Sequence, residues 1–151
     1  MRPRPTRLFP PAYFAIAFGL ILLLDRFAPG PHWLPAALRW IGWIPVALGL
    51  MLFVFTVAGF RRSGTPLRPF KGVGTLMTGG TFRFSRNPIY LGMTLLLLGT
   101  CLWRGTASPL WVPFAFAAII QKRFVEAEEE FLTEHFGDAY RAYRLRVRRW
   151  L

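Results

Sequence analysis

Two groups of residues in this chain have side chains suited to binding a small polar molecule. The first group opens an apolar run and consists of Arg86, Asn87, Pro88, Tyr90 and Gly92. The second group follows the last apolar run and consists of Glu128, Glu129, Tyr140 and Tyr143. Carboxylates accept hydrogen bonds from hydroxyl and amino groups, a guanidinium binds a carboxylate, and aromatic rings pack on flat or cationic ligands. Together these groups are the residues of the chain best suited to polar chemistry beside an apolar run.

Glu129 is the most unusual residue of the second group. After Gln121 the chain becomes amphipathic, and one helical face carries Val125, Glu129, Leu132 and Phe136. The opposite, solvated face carries Glu126, Glu130 and Glu134. A carboxylate on an apolar face is costly unless it is paired or accepts hydrogen bonds. This pattern selects Glu129, with Glu128 beside it, as a candidate functional carboxylate.

The elements that position these groups are apolar. The chain is 54% hydrophobic, with a mean hydropathy of +0.36. Four stretches lack Asp, Glu, Lys and Arg: residues 8–24, 40–60, 87–103 and 105–121. The shortest of these stretches have 17 residues. A helix of 17 residues covers about 25 Å, close to the thickness of a bilayer core. We therefore predict an all-α integral membrane protein with about four transmembrane helices, and cytoplasmic amphipathic C-terminal helices that form a cofactor pocket.

Positive charge is distributed beside the apolar runs. The formal net charge is +12, and basic residues concentrate in the N-terminus, in residues 61–86 and in the C-terminal tail. Basic residues favour the cytoplasmic side, so we predict a multi-pass protein of the plasma or inner membrane with both termini cytoplasmic. The same distribution argues against nucleic-acid binding, because the arginines do not form an independent soluble face. The bilayer itself is the predicted partner.

The chain length fits one membrane domain, residues 1–151, with a two-helix part at 1–60 and a cofactor-binding core at 61–151. The glycine-rich loop at 61–86 could cap a cofactor, but Gly72-Val73-Gly74 completes no dinucleotide fingerprint. The single cysteine, Cys101, has no disulfide partner, and no metal site is predicted.

The residues from Thr78 to Gly92, with Arg86-Asn87-Pro88 at their centre, resemble the signature of isoprenylcysteine carboxyl methyltransferases and related phospholipid methyltransferases. The tail of that family carries a Glu-Glu pair followed by Leu, Phe-Gly, Tyr and Tyr. Here those positions are Glu128, Glu129, Leu132, Phe136, Gly137, Tyr140 and Tyr143. The resemblance covers roughly residues 64–149, with both motifs in the family's order and spacing.

The resemblance implies a methyltransferase that depends on S-adenosylmethionine, which enters from the cytosol, while a lipid-like or isoprenoid acceptor enters from the bilayer. By motif match, both residue groups named at the outset would bind the cofactor. Arg86, together with Arg146 in Tyr-x-x-Arg-Val, would hold an acceptor carboxylate such as that of an isoprenylcysteine. Asn87 departs from the His of the eukaryotic enzymes, which weakens any transfer of substrate identity.

Two other functions remain open on the sequence alone. One is a reductase resembling the C-terminal part of steroid 5-alpha-reductases, which would bind NADPH. The other is a non-catalytic membrane scaffold or small transporter, although the four apolar runs carry no charged residue that would mark a transport path. The identity of the acceptor, the atom that is methylated and the oligomeric state are not predicted.

Overall fold

A computed structural model describes residues 9–62 and 76–151. Six α-helices follow in chain order: α1 (Pro10–Phe27), α2 (Trp43–Arg62), α3 (Pro88–Arg104), α4 (Val112–Ile120), α5 (Glu126–Phe136) and α6 (Asp138–Arg146). Short 3-10 helices cover Ala36–Gly42, Gly80–Arg83 and Ser108–Trp111. The described residues contain no strand, apart from an isolated antiparallel bridge between His32 and Thr106. The predicted all-helical class is confirmed.

Two helices of the described chain are long and apolar enough to cross a membrane. They are Pro10–Phe27, with a mean hydropathy of 1.4, and Ala36–Arg62, with a mean hydropathy of 2.2. Helix α3 is a shorter apolar helix. The fourth apolar run is divided between a loop, the 3-10 helix Ser108–Trp111 and α4, because Pro109 and Pro113 favour helix starts. The number of four crossings stays a prediction.

Helices α2 and α3 run antiparallel and make closer contact than any other pair, because glycines lie where they cross. A Cβ on Gly99 would lie 2.6 Å from the carbonyl oxygen of Gly42, and one on Gly92 would lie 2.8 Å from that of Gly49. Each of these glycines therefore admits the backbone of the other helix, as small residues do in membrane helix pairs. This contact fixes the position of the α3 N-terminus, where Arg86 and Asn87 lie.

Residues from α1, α3 and α4 form the buried apolar core, with Ile21, Leu97, Cys101 and Ile120 fully buried. Cys101 is a small buried side chain, in agreement with its lack of a partner in the sequence. The outward faces of α1 and α2 are also apolar, and they expose Ile16, Leu23, Leu48, Met51, Val54 and Phe55. Such a surface fits contact with lipid better than contact with water.

Helix α5 continues from α4, and α6 follows α5 after a change of direction. Helix α4 runs through a π-helical turn, Gln121–Val125, into α5. Gly137, at φ +52°, ends α5, and α6 begins at the next residue. After Arg146 the backbone becomes extended at Val147 and returns towards the start of α3. The N-terminal arginines, Gly72-Val73-Gly74 and half of the predicted 61–86 loop lie outside the described residues.

Candidate functional site

The extended segment after α6 is bonded to the start of α3. The backbone N–H of Arg86 donates to the carbonyl of Arg148 at 3.0 Å. The side chains of Ser85 and Asn87 donate to the carbonyl of Arg149, at 3.2 and 3.1 Å. Asn87 is therefore a buried structural donor that joins two segments far apart in sequence. These bonds bring both predicted residue groups to one place.

Glu129 lies between two guanidinium groups. Arg86 Nη2 is 3.1 Å from Glu129 Oε1, and these side chains are only 10% and 7% exposed. Arg149 binds the same carboxylate through two nitrogens, at 3.1 Å to Oε1 and 2.7 Å to Oε2. This bonding to Glu129 raises the pKa of Arg149. Both oxygens of Glu129 are thus occupied, and the carboxylate holds α3, α5 and the C-terminal segment together.

Glu128 has a different environment. The hydroxyl of Tyr90 donates to Glu128 Oε1 at 2.7 Å. Burial disfavours the charged carboxylate and raises the pKa of Glu128 to about 7, although the bond from Tyr90 opposes this shift. In the part of the chain that the structure describes, Tyr90 is its one hydrogen-bond partner. Glu128 therefore keeps the capacity to accept hydrogen bonds from a ligand.

Tyr140 and Tyr143 are buried on the inner face of α6, with ring centroids 5.9 Å apart. The Tyr143 hydroxyl donates to the carbonyl of Phe82 at 2.7 Å, which fixes the turn before Arg86. Burial, followed by the charge of Glu129, raises the pKa of Tyr140 to about 12. Burial raises the pKa of Tyr143 to about 12 as well. Both phenols stay neutral at physiological pH and can act as donors.

Pro88 and Gly92 take structural positions at the start of α3. Pro88 is its first residue and is buried, which suits a helix start because that position needs no N–H donor. Gly92 faces α2 and allows the close approach to Gly49. Both residues position the cluster, and neither contributes a polar side chain to it.

Arg146 lies apart from the cluster. It is exposed at the last residue of α6. The sequence reasoning missed two residues that the structure brings to the site, namely Arg149 and Ser85. Ser85 directly precedes the Arg86 motif, which was a usable signal. Arg149 had no such signal, because its position depends on the chain leaving the helix at Val147.

A cleft of about 430 Å³ adjoins Glu129 and is lined by α5, Arg144 and Arg149, but not by Arg86, Tyr90 or Glu128. Its lining carries more negative than positive side chains: Glu126, Glu129, Glu130, Thr133, Glu134, Arg144 and Arg149. Four carboxylates and two guanidiniums leave a net negative charge. Such a cleft attracts a cationic ligand and repels one with several phosphates.

The chain was compared with known proteins. The profile of the phospholipid methyltransferase family matches residues 37–139. An uncharacterized protein of Haemophilus influenzae is 38% identical over 63 residues, which are 42% of this chain and 100% of that protein. No solved structure matches the chain. Because the family match spans more than half of the sequence and includes both Arg86-Asn87-Pro88 and Glu128-Glu129, this chain belongs to the phospholipid methyltransferase family.

Proposed function

We propose that this protein transfers a methyl group from S-adenosylmethionine to a lipophilic acceptor dissolved in the membrane. The supporting observation is that Arg86, Tyr90, Glu128 and Glu129, selected from two distant motifs, meet in one buried cluster at the start of α3. Membership of a methyltransferase family supports the same reaction class. The acceptor could carry oxygen, nitrogen or sulfur, and a carboxylate of the isoprenylcysteine type is one candidate.

The polar groups of the site fit the chemistry of this cofactor. Glu128 has acceptor capacity for ribose hydroxyls or an amino group. The Nε atom of Arg86 is buried and has no hydrogen-bond partner among the described residues, so the cluster contains one unused donor of the type that pairs with a carboxylate. The acidic cleft beside Glu129 suits a molecule that carries a sulfonium and an ammonium group. Tyr140 and Tyr143 would complete the binding site as aromatic walls.

S-adenosylmethionine supplies an electrophilic methyl group on sulfur. The protein then needs to align the two reactants and exclude water, because methyl transfer is an in-line displacement. The Arg86–Glu129–Arg149 cluster serves this purpose by fixing α3, α5 and the C-terminal segment as one unit. Arg86, with Arg146 from the exposed end of α6, would hold an acidic acceptor.

The membrane arrangement is part of this proposal. Both termini and the Arg86 cluster would face the cytosol, where the cofactor is available, and about four segments would cross the bilayer. The whole chain, residues 1–151, would be one membrane domain. The packing of α2 on α3 through Gly49 and Gly92 supports this, since it joins the two-helix part at 1–60 to the core at 61–151.

The alternative of an NADPH-dependent reductase is not favoured. NADPH carries a pyrophosphate and a 2'-phosphate, and the cleft beside Glu129 has a net negative lining. The non-catalytic scaffold is not favoured either, because the chain belongs to an enzyme family.

Calorimetry on the detergent-purified protein tests the proposal. S-adenosylmethionine should bind, NADPH should not, and Glu128→Ala should weaken methyl-donor binding by at least roughly tenfold, the cost of one lost charge-assisted hydrogen bond. Asp138→Asn is the matched control, because Asp138 is an acid of the same region that is 94% exposed and outside the cluster. NADPH binding without methyl-donor binding would contradict the proposal and favour the reductase.

A further inference from the structure

A second polar cleft lies at the opposite end of α3 from Arg86. Its volume is about 650 Å³. Charged, polar and indole side chains line it together with two small residues: Asp25, Pro29, His32, Ala36, Arg39, Trp40, Trp43, Trp103, Arg104 and Thr106. Helix α3 rises about 1.5 Å per residue, so this cleft lies roughly 25 Å from the candidate methyltransferase site. It shares no lining residue with the cleft beside Glu129.

Two connecting segments form this cleft and are bonded to each other. The N–H groups of Ala107 and Ser108 donate to the carbonyls of Pro31 and Pro29, at 3.1 and 3.2 Å. The N–H of Trp33 donates to the carbonyl of Gly105 at 3.2 Å, and its indole donates to the carbonyl of Thr106 at 3.3 Å. The walls of the cleft are therefore held in place before a ligand arrives, which lowers the entropy cost of binding.

The charges in the cleft do not balance. Asp25 is 7% exposed; it pairs with Arg104 and accepts a hydrogen bond from Thr106 at 2.8 Å. The other six acids of the chain lie between positions 126 and 138, so Asp25 is the one acid in the sequence at this end. Arg39 is left without a carboxylate partner among the described residues. An anion that neutralises Arg39 must come from outside the chain.

The Arg39 side chain has donors to offer. Its Nη2 atom lies 3.2 Å from His32 Nδ1. Its Nε atom is buried and has no hydrogen-bond partner in the described ranges. The guanidinium lies across Gly105, where a Cβ would come within 2.7 Å of Nε. Gly105, at φ +74°, therefore provides both the turn after α3 and the space for this arginine.

Indole rings surround the opening. Trp40, Trp43 and Trp103 are 61%, 59% and 49% exposed, and the rings of Trp43 and Trp103 lie 6.3 Å apart. Tryptophan concentrates at the level of lipid headgroups in membrane proteins. If α2 and α3 cross the bilayer, the cleft opens where phosphates of the membrane surface are most concentrated.

We propose that this cleft binds the headgroup of an anionic phospholipid. Arg39 would donate to the phosphate, His32 would lie beside it, and Trp43 and Trp103 would contact the upper part of the acyl chains. The Asp25–Arg104 pair would not repel the anion, because its two charges cancel. The inference concerns a different site from that of methyl transfer, and it does not depend on the cofactor.

Native mass spectrometry of the detergent-purified protein, titrated with phosphatidylglycerol or phosphatidylcholine, tests the proposal. The wild-type protein should retain phosphatidylglycerol at least roughly tenfold more tightly, and Arg39→Gln should abolish that preference. Arg26→Gln is the matched control, since Arg26 lies at the same end but contacts Phe27, and it should keep the preference. Equal binding of the two lipids by the wild-type protein would overturn the proposal, whatever the variants do.

Two further measurements distinguish a lipid site from a free-phosphate site and from a folding defect. Inorganic phosphate at millimolar concentration should not displace the lipid, and full displacement would overturn the lipid site in favour of one for the free ion. The melting temperature of Arg39→Gln in detergent should stay within about 2 °C of the wild-type value. A lower melting temperature together with lost lipid preference would indicate a folding defect, in which case the wild-type lipid preference alone decides the question.

Discussion

Glu128 and Glu129 are neighbours in sequence but have different chemical surroundings. Glu129 is saturated by Arg86 and Arg149, whereas Glu128 receives one hydrogen bond from Tyr90. Their side chains diverge because consecutive residues of a helix point about 100° apart. We therefore assign ligand binding mainly to Glu128 and the positioning of the arginines to Glu129.

Cofactor binding should depend on pH through Glu128. The pKa of this carboxyl is raised to about 7, so the group is mostly neutral at pH 6 and mostly ionised at pH 8. If the ionised form accepts the hydrogen bonds of the cofactor, its Kd at pH 6 should be roughly tenfold higher than at pH 8. Calorimetry at both values measures this, and Glu128→Gln should remove the difference. A difference that persists in Glu128→Gln would assign the titration to another group.

Substitution of Glu129 should destabilise the fold. Glu129→Gln leaves two largely buried guanidiniums without a counter-charge, which costs about 3 kcal/mol. For a chain of this size that lowers the melting temperature by roughly 6–12 °C, measured by thermal unfolding in detergent. Glu130→Gln, on the exposed face of the same helix, is the control and should change it by less than about 2 °C. Equal melting temperatures for the two variants would contradict the structural role of Glu129.

For single residues, it is clear which parts of the site the sequence could predict. The position of Glu129 on an apolar face selected it as a candidate functional carboxylate, and the structure places it at 5% exposure between two guanidiniums. Its main partner Arg149 could not be predicted, because periodicity continues α6 beyond Arg146, whereas the chain becomes extended there. The bonds from Ser85 and Asn87 to Arg149 join segments more than sixty residues apart, and such contacts leave no local pattern.

At the scale of elements, close packing of α2 on α3 positions the site. The glycines that permit it are spaced by seven residues: Gly42 and Gly49 in one segment, and Gly92 and Gly99 in the other. The hydroxyl of Thr56 contacts that of Thr81 at 2.8 Å, which ties α2 to the turn before Arg86. This spacing was visible in the sequence, but it identifies a helix contact only when both segments are considered together.

The glycine contact between α2 and α3 predicts that two glycine-to-alanine substitutions have different effects on stability. Gly99→Ala would bring its Cβ within 2.6 Å of both the Gly42 carbonyl and Val46 Cγ2, so the helices must separate. The expected loss is about 1–3 kcal/mol, seen as a lower melting temperature. In Gly19→Ala the new Cβ has nothing within 4 Å, and higher helix propensity should leave stability unchanged or raised. A stable Gly99→Ala variant would show that the α2–α3 contact is looser than described.

For the molecule as a whole, the distribution of acids separates two ends. Six of the seven acids lie between positions 126 and 138, while the far end has Asp25 alone. Apolar content predicted the helical class, and charge predicted which ends should face the cytosol. The cleft lined by Arg39 could not be predicted, because it requires two loops, near positions 30 and 106, to lie side by side.

The proposed topology can be tested with single cysteines in a Cys101→Ala background, since Cys101 is buried and would be the only native thiol. Pro31→Cys should react with a membrane-impermeant maleimide in intact cells. Asp138→Cys should react only after permeabilisation. The opposite pattern, or labelling of both in intact cells, would contradict a cytosolic Glu129 cluster.

The bonds from Ser85, Arg86 and Asn87 to the carbonyls of Arg148 and Arg149 also bear on when the cluster can form. Because a chain is synthesised from its N-terminus, residues 148–150 leave the ribosome after all six helices. Until then Glu129 lacks Arg149, and the start of α3 lacks its bonds to the C-terminal segment. The cluster can therefore be completed only after every described helix has been made.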